Sequence, residues 1–147
     1  MALSIDIVCG GRARTSPETE LAFSYLDRAR DAGRTLGFVS FRLKEVDERK
    51  PGAFASEGLI VALDEQGKSM SSLDFSRLLA KWRDAGEPLV TFLIGGSDGL
   101  PAAAKSRAKL TLAFGVQTWP HLLVRPMLSE QLYRAMTILS GHPYHRA

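Results

Sequence analysis

A glycine-rich run follows a strongly apolar segment of the chain and is a candidate ligand loop. Residues 89–94, Leu-Val-Thr-Phe-Leu-Ile, lead directly into residues 95–99, Gly-Gly-Ser-Asp-Gly. Glycine has no Cβ, so a bound molecule can press against bare backbone and meet exposed N–H groups. A strand followed by two glycines is also a common tight turn. On these residues alone both interpretations stay open.

The C-terminal tail carries side chains that can handle a nucleic-acid base and its phosphates. Tyr144 offers a ring for stacking, His145 an imidazole that titrates near neutral pH, and Arg146 a guanidinium for phosphate. All three histidines of the chain lie at or after residue 121. A merely solvated tail is the alternative, because chain ends are commonly exposed.

Other kinds of site lack their sequence signatures. No triphosphate-binding Gly-x-x-x-x-Gly-Lys-Ser/Thr loop is present, and no Gly-x-Gly-x-x-Gly follows the first predicted strand. His142 and His145 have no cysteine or further acid beside them, so we expect no metal. The single cysteine, Cys9, ends an apolar run and is interpreted as a buried filler residue. It cannot form an internal disulfide, which is typical of the reducing cytoplasm.

Apolar periodicity predicts the elements that must position these residues. Strands are predicted at residues 3–8, 36–43, 59–63, 89–94 and 110–114, and the third is wholly apolar, as in a buried parallel strand. Helices are predicted from the Ser16 cap to Gly33, through Phe75 and Trp82 to Gly86, over residues 102–108, and at the C-terminus to about Leu139. Residues 44–57 are predicted to be a surface loop. The alternation predicts one α/β domain over residues 1–147, with a mostly parallel sheet and helices on both faces.

In such a sheet, ligands bind beyond the carboxyl ends of the strands. Three predicted loops leave those ends, at residues 64–68, 95–99 and 115–120. The first contains Lys68, which would add a positive charge. We therefore predict the binding site where these three loops meet.

Composition sets wide limits on partners. The chain has 147 residues, a net charge of +3 and 45% hydrophobic residues, all ordinary for a globular protein. The mildly basic balance permits nucleic-acid binding without requiring it. No stretch approaches the ~20 apolar residues that span a bilayer, and the N-terminus lacks a signal-peptide pattern. We expect a cytoplasmic protein with no membrane partner.

Three blocks of sequence, taken together, resemble the bacterial large-subunit ribosomal RNA methyltransferase H family. They are residues 63–75, beginning Leu-Asp-x-x-Gly-Lys, residues 93–99, Leu-Ile-Gly-Gly-x-x-Gly, and residues 118–146. The last block includes Thr-Trp-Pro-His, Ser-Glu-Gln-Leu-Tyr-Arg-Ala and His-Pro-Tyr-His-Arg. The blocks keep the family's order and spacing and cover the chain from about residue 59 onward, whereas residues 1–43 match only in pattern.

The resemblance implies a homodimer whose C-terminal segment is threaded into a trefoil knot. It implies methylation, with S-adenosylmethionine, of N3 of a pseudouridine in large-subunit rRNA on the assembled ribosome. It further implies catalysis and RNA binding by Tyr144, His145 and Arg146. We take His145 as the candidate base for the N3 proton. The alternative is that solvent takes the proton and the tail serves only to bind. The cofactor-binding residues that the resemblance implies are Leu63, Gly96, Gly115, Val116, Gln117, Thr118, Trp119 and Pro120.

The sequence also departs from the family's pattern. Ser97 and Asp98 replace a Pro-Glu pair, Trp119 stands where a smaller apolar residue is common, and residues 44–58 are shorter than usual. Pro126 falls within the expected C-terminal helix, where it removes a hydrogen bond at a cost of ~3 kcal/mol, unless the helix effectively begins there. We expect the dimer contact along the apolar positions of this helix, which are Leu122, Val124, Leu128, Leu132 and Met136.

Two rival functions remain at this point. A non-catalytic ribosome- or RNA-binding module that kept the methyltransferase fold would have no affinity for the cofactor. A hydrolase or other small-molecule enzyme would instead bind a phosphate group at Gly95 and Gly96. Calorimetry with S-adenosylmethionine separates both from the methyltransferase.

Overall fold

The computed structural model describes residues 2–146. Five parallel strands form one sheet, and four α-helices connect or follow them. The strands are β1 Leu3–Gly10, β2 Phe38–Val46, β3 Leu59–Lys68, β4 Leu89–Ile94 and β5 Leu110–Leu112. The helices are α1 Pro17–Gly33, α2 Ser72–Asp84, α3 Ala102–Ser106 and α4 His121–Ser140.

The strand order across the sheet is β2-β1-β4-β3-β5, and every strand pair is parallel. The order differs from the chain order, because two strands, β1 and β4, lie between β2 and β3. All carboxyl ends therefore meet at one edge of the sheet. The parallel sheet that the sequence predicts is confirmed.

The two faces of the sheet are covered unequally. Along β1, Ile5 and Ile7 face the main core with α1, α2 and α4, whereas Val8 faces the opposite side. That opposite side is covered by Phe54 of the β2–β3 loop, by Leu100 and by the short α3. Helices lie on both faces, as predicted, but three of the four share one face.

Two helix ends follow directly from their residue types. The Ser16 hydroxyl accepts a hydrogen bond from the Thr19 N–H at 3.2 Å, and Pro17 occupies the first turn of α1. At the other end of the chain, Gly141 adopts a left-handed φ of 77° and ends α4. The predicted start of α1 is thus confirmed.

Both β2 and β3 run further than the sequence indicates. Residues Arg34–Leu36 form a 3-10 turn, so β2 begins two residues later than predicted, and it continues to Val46 because it pairs with β1 as far as Gly10. The predicted loop at residues 64–68 belongs instead to β3, which bends after Leu63. Lys68 pairs with Leu112, and its carbonyl accepts from the Ala113 N–H at 3.0 Å.

Helix α4 contains Pro126, as expected, and corrects the expected dimer contact. It begins at His121, so Pro126 lies inside the helix and removes only one backbone donor from its second turn. Leu128, Leu132 and Met136 are fully buried in the main core of their own chain. These three residues cannot contact a partner subunit, and the predicted dimer face is wrong there. No helix among residues 2–146 combines the length and apolarity needed to cross a membrane.

Candidate functional site

A cleft of about 710 Å³ opens beyond the carboxyl ends of β3, β4 and β5. Its walls come from residues 63–65 at the bend of β3, residues 94–100 at and after the end of β4, and residues 112–114 and 117–121 between β5 and α4. Lys105 of α3 and Val124 of α4 complete the lining. Because parallel strands end at one edge, segments distant in sequence come together there.

The structure places most of the predicted cofactor residues in this cleft. Gly115 instead borders a smaller neighbouring cavity, where its N–H donates to the Ser69 hydroxyl at 3.2 Å. Val116 is 91% exposed and projects away from the lining. The six that line the cleft are Leu63, Gly96, Gln117, Thr118, Trp119 and Pro120.

Two side-chain contacts hold the loop at residues 115–120 across the cleft. The Thr118 hydroxyl donates to the Glu65 carboxylate on β3. The indole N–H of Trp119 donates to the Phe114 carbonyl at 2.8 Å, which fixes the ring at the cleft mouth. The loop thus closes one wall by linking β5 to β3.

The glycine-rich loop is both a tight turn and a wall of the cleft. The Gly99 N–H donates to the Gly96 carbonyl at 3.0 Å and closes the turn. A Cβ on Gly95 would lie 2.6 Å from the Leu100 nitrogen, so backbone itself excludes any side chain there. At Gly96 the vacant Cβ position faces the Glu48 carboxylate. Our expectation that this bare side of Gly96 faces a ligand is corrected by that contact.

The cleft carries an excess of negative charge. Asp64, Glu65 and Asp98 line it, against Lys105, which pairs with Asp64 at 3.7 Å, and His121. The protein as a whole has a net charge of +3. A local acidic excess in a basic protein favours a ligand with positive charge.

A buried ion pair that the sequence did not reveal connects α4 to the carboxyl end of β2. The Arg125 side chain is 0% exposed and donates to the Glu45 carboxylate at 2.6 Å and to the Thr19 hydroxyl at 3.0 Å. Glu45 also accepts from the Ala13 N–H at 2.7 Å. Burial raises the pKa of Glu45, but these hydrogen bonds outweigh burial and the pKa is lowered overall. A lone arginine after the apolar residues 122–124 was the available sequence signal.

The tail folds back onto α4. The Tyr144 hydroxyl donates to Glu130 Oε2 at 2.7 Å, and Arg134 Nη1 lies 3.0 Å from His145 Nδ1. Arg134 Nη2 donates to the same Glu130 oxygen at 2.7 Å, an ion pair at the i,i+4 spacing that brings side chains together on a helix. Burial, with the hydrogen bond to Glu130, raises the pKa of Tyr144 to about 12. Arg146 is exposed.

The tail and the cleft contact different parts of α4, with Val124 the last cleft residue and Glu130 the first residue that holds the tail. His121, at the start of the helix, lines the cleft, whereas Glu130 and Arg134 hold the tail. The rise of ~1.5 Å per residue separates His121 from Arg134 by roughly 20 Å. The structure therefore does not bring Tyr144, His145 and Arg146 together with the cleft of their own chain.

Cys9 belongs to the core and not to the site. It is fully buried, and burial raises the pKa of its thiol to about 12. Thiolate is the reactive form of cysteine, so this residue is chemically inert at neutral pH. The interpretation of Cys9 as a filler residue is confirmed. Residues 2–146 contain no group of three or more His, Cys, Asp or Glu side chains arranged to hold a metal ion.

The parallel fold and the strand-end cleft define an α/β ligand-binding protein, and the comparisons identify its class. A family model described as "Predicted SPOUT methyltransferase" matches residues 3–145. The chain therefore belongs to the SPOUT methyltransferase family. This membership confirms the α/β-knot fold and the methyltransferase class that the resemblance implied.

Close relatives share nearly the whole chain. The ribosomal RNA large subunit methyltransferase H of Bradyrhizobium diazoefficiens is 44% identical and covers 99% of this chain and 100% of its own length. The protein of the same name from Methylocella silvestris is 48% identical over 95% of this chain and 97% of its own. A probable methylase family protein of Haemophilus influenzae has the same fold, with a TM-score of 0.54, 10% sequence identity and coverage of 99% of this chain and 70% of its own.

Proposed function

We propose that this protein uses S-adenosylmethionine to methylate N3 of a pseudouridine in large-subunit rRNA of the assembled ribosome, in the cytoplasm. The observation that carries the proposal is the cleft at the carboxyl ends of β3, β4 and β5, in a chain of the SPOUT methyltransferase family. The name shared by the relatives supports ribosomal RNA of the large subunit as the substrate. The target atom and the ribosomal context come from the family resemblance.

The residues of the cleft fit S-adenosylmethionine. Its volume of about 710 Å³ lies within the range of small-molecule sites. Apolar side chains such as Leu63 and Trp119 suit the flat purine, and the acidic residues suit the ammonium and sulfonium charges. The cofactor supplies a methyl group that is already activated, so the protein has chiefly to align the acceptor nitrogen behind it.

The chain's own residues would perform the remaining tasks. The turn at residues 95–99 and the loop at residues 115–120 hold the cofactor. The tail meets the RNA, where Arg146 is free to contact phosphate and Tyr144 offers a ring. N3 carries a proton that must leave during methylation, and His145 is the tail group suited to assist there.

A second copy of the chain would complete the site, because the tail packs on Glu130 and Arg134 and none of its described residues lines the cleft of its own chain. We propose a two-fold homodimer in which the tail of one subunit serves the cleft of the other. Three exposed apolar residues lie in the loop between β5 and α4 and in the first turn of α4: Val116 is 91%, Trp119 40% and Leu123 40% exposed. We assign this patch to the subunit interface, in place of the buried positions of α4.

Calorimetry with S-adenosylmethionine tests the cofactor, and transfer of labelled methyl to ribosomes that lack the modification tests the substrate. Binding together with transfer supports the proposal. Ribosome binding without cofactor affinity would favour the non-catalytic module, and affinity for phosphate compounds alone would favour the small-molecule enzyme. Light scattering tests the dimer: Leu123→Ser should shift it towards monomer, whereas Leu21→Ser, at an exposed site on α1, serves as the matched control. A wild-type monomer with full activity at micromolar concentration would refute the dimer.

A further inference from the structure

The guanidinium of Arg134 is the centre of the contacts that hold the tail. Its Nε and Nη2 donate to Glu130 Oε2 at 3.1 Å and 2.7 Å, and Nε also donates to Oε1 at 3.3 Å. The Arg134 Nη1 atom lies 3.0 Å from His145 Nδ1, and Arg134 Cζ lies 4.8 Å from the centre of the Tyr144 ring. The Tyr144 ring in turn packs on Tyr133 with 4.7 Å between ring centres. Arg134 therefore contacts the phenol ring and the imidazole of the tail at once.

The contact with Arg134 bears on the tautomer of His145. A guanidinium only donates hydrogen bonds, so Nδ1 of the imidazole must be the acceptor in this contact. An Nδ1 lone pair that accepts from arginine leaves the ring neutral, with its single proton on Nε2. The imidazole of His145 thus presents an N–H donor at Nε2, and the lone pair of its Nδ1 accepts from Arg134.

We propose that Arg134 and Glu130 are positioning residues that fix His145 as the neutral Nε2–H tautomer. In this form His145 donates a hydrogen bond to a carbonyl oxygen of the target pseudouridine. It does not act as the general base that removes the N3 proton. The inference rests on the proposed function and deepens it. The N3 atom lies between two carbonyl groups, and loss of its proton moves negative charge onto their oxygens. A donor placed at one of these oxygens stabilises that charge as it develops.

The bonds balance without a protein base. The N3 proton passes to solvent water, and the N3 lone pair then forms the bond to the methyl carbon. The carbon–sulfur bond breaks, and its electron pair stays on sulfur as the sulfonium becomes a neutral thioether. In this scheme His145 keeps its Nε2 proton throughout and donates a hydrogen bond only.

Glu130 has a separate part in the same arrangement. Its carboxylate neutralises the Arg134 guanidinium and accepts from the Tyr144 hydroxyl at 2.7 Å. Without that negative charge, the guanidinium would be free to turn towards solvent or phosphate and release Nδ1. The raised pKa of Tyr144, about 12, is consistent with a phenol that stays protonated and donates to Glu130.

Nitrogen NMR of histidine-labelled protein tests the tautomer without substrate or cofactor. The chain has three histidines, and His145→Gln assigns the His145 signals. We expect an unprotonated Nδ1 and a protonated Nε2 in the wild type, and a mixture of tautomers in Arg134→Leu. Arg134→Lys, which keeps a donor, should restore part of the wild-type pattern. A wild-type His145 that is protonated at Nδ1, or a tautomer unchanged in Arg134→Leu, would overturn the proposal.

Turnover distinguishes a donor from a base. Loss of a donor of this kind costs about 10²–10³-fold in kcat, and this is the effect we expect for His145→Ala. The glutamine side chain donates a hydrogen bond but takes up no proton near neutral pH. His145→Gln should therefore recover a large part of the activity lost in His145→Ala, whereas equal loss in both variants identifies a base. If ribosomes are not the substrate, the NMR experiment still tests the tautomer of His145, because it needs neither substrate nor cofactor.

Discussion

Breaking the ion pair between Arg125 and Glu45 should destabilise the fold and loosen the cleft. Arg125 lies next to the cleft residue Val124, and its Nη2 approaches the Gly10 carbonyl at 3.4 Å. Gly10 itself packs so closely on Gly96 that a Cβ there would lie 2.8 Å from the Gly96 nitrogen. The pair therefore holds α4, the end of β1 and the glycine-rich turn in one arrangement.

The magnitude follows from the burial of each partner. Removing one partner of a buried pair costs about 3–5 kcal/mol, because the other charge is left uncompensated. In Glu45→Leu the uncompensated group is a guanidinium with 0% exposure, so we expect the upper part of that range. In Arg125→Met the uncompensated group is the Glu45 carboxylate, which is 14% exposed and reaches water. We therefore expect a smaller loss in the free energy of unfolding, about 2–3 kcal/mol. The double variant replaces the pair with apolar groups and should lie within ~2 kcal/mol of the wild type.

Urea unfolding at one fixed protein concentration measures these free energies, and the four proteins form a double-mutant cycle. The pH adds an independent check. The pKa of Glu45 is lowered in the folded state, so its contribution is complete above its unfolded pKa of ~4.3 and is lost as the pH falls through the folded pKa. The stability difference between wild type and Glu45→Leu should therefore shrink below about pH 4.3.

Function provides the second readout of the same variants. Both single variants should bind S-adenosylmethionine more weakly than the double variant, because a displaced charge disturbs α4 more than an apolar pair does. If the losses in unfolding free energy of the two single variants simply add in the double variant, Arg125 and Glu45 have no coupling energy. An Arg125→Met protein as stable as the wild type would show that the guanidinium is not held as we describe.

Three further predictions concern the turn, the thiol and the tail. The added methyl group of Gly95→Ala would clash with backbone atoms, so this variant should lose ~1–3 kcal/mol of stability, as measured by thermal unfolding, and should not bind the cofactor. The methyl group of Gly96→Ala would displace only the end of the Glu48 side chain, so this variant should fold normally. Equal stability of the two would contradict this reading of the turn. Cys9, with a thiol pKa of about 12, should resist a thiol reagent at pH 8 in the native protein and react after unfolding; rapid native labelling would show that it is accessible. Removal of residues 144–147 should eliminate methyl transfer and leave calorimetric cofactor binding little changed, and near-full turnover would mean that the tail is not catalytic.

Local patterns were sufficient to predict most of the elements. Ser16 with Pro17 fixes the start of α1, because a hydroxyl cap and a proline in the first turn satisfy or remove the free N–H groups there. The apolar run at residues 89–94 is a buried strand because both of its faces are covered. The position of the ligand cleft also follows from local signals, because parallel strands end together.

Distant contacts were beyond the reach of local patterns. Glu45 and Arg125 are 80 residues apart in sequence, and nothing local indicates their contact. The apolar positions 128, 132 and 136 suit a partner subunit or the core equally well, and only the packing of α4 on α1 decides between them. The knot is likewise a property of the whole path of the chain, and the sequence reached it only through family resemblance.

The separation of cleft and tail along α4 leads to a final test, in which two inactive variants are mixed. Gly95→Ala is expected to disable the cleft and keep the tail, and the chain lacking residues 144–147 keeps the cleft and loses the tail. If each tail serves the partner's cleft, a mixed dimer has one site with an intact cleft and an intact tail. Random exchange makes about half of the dimers mixed, so about a quarter of wild-type activity should return. A tail that serves the cleft of its own chain gives no recovery in any mixed dimer, because neither subunit then carries both parts.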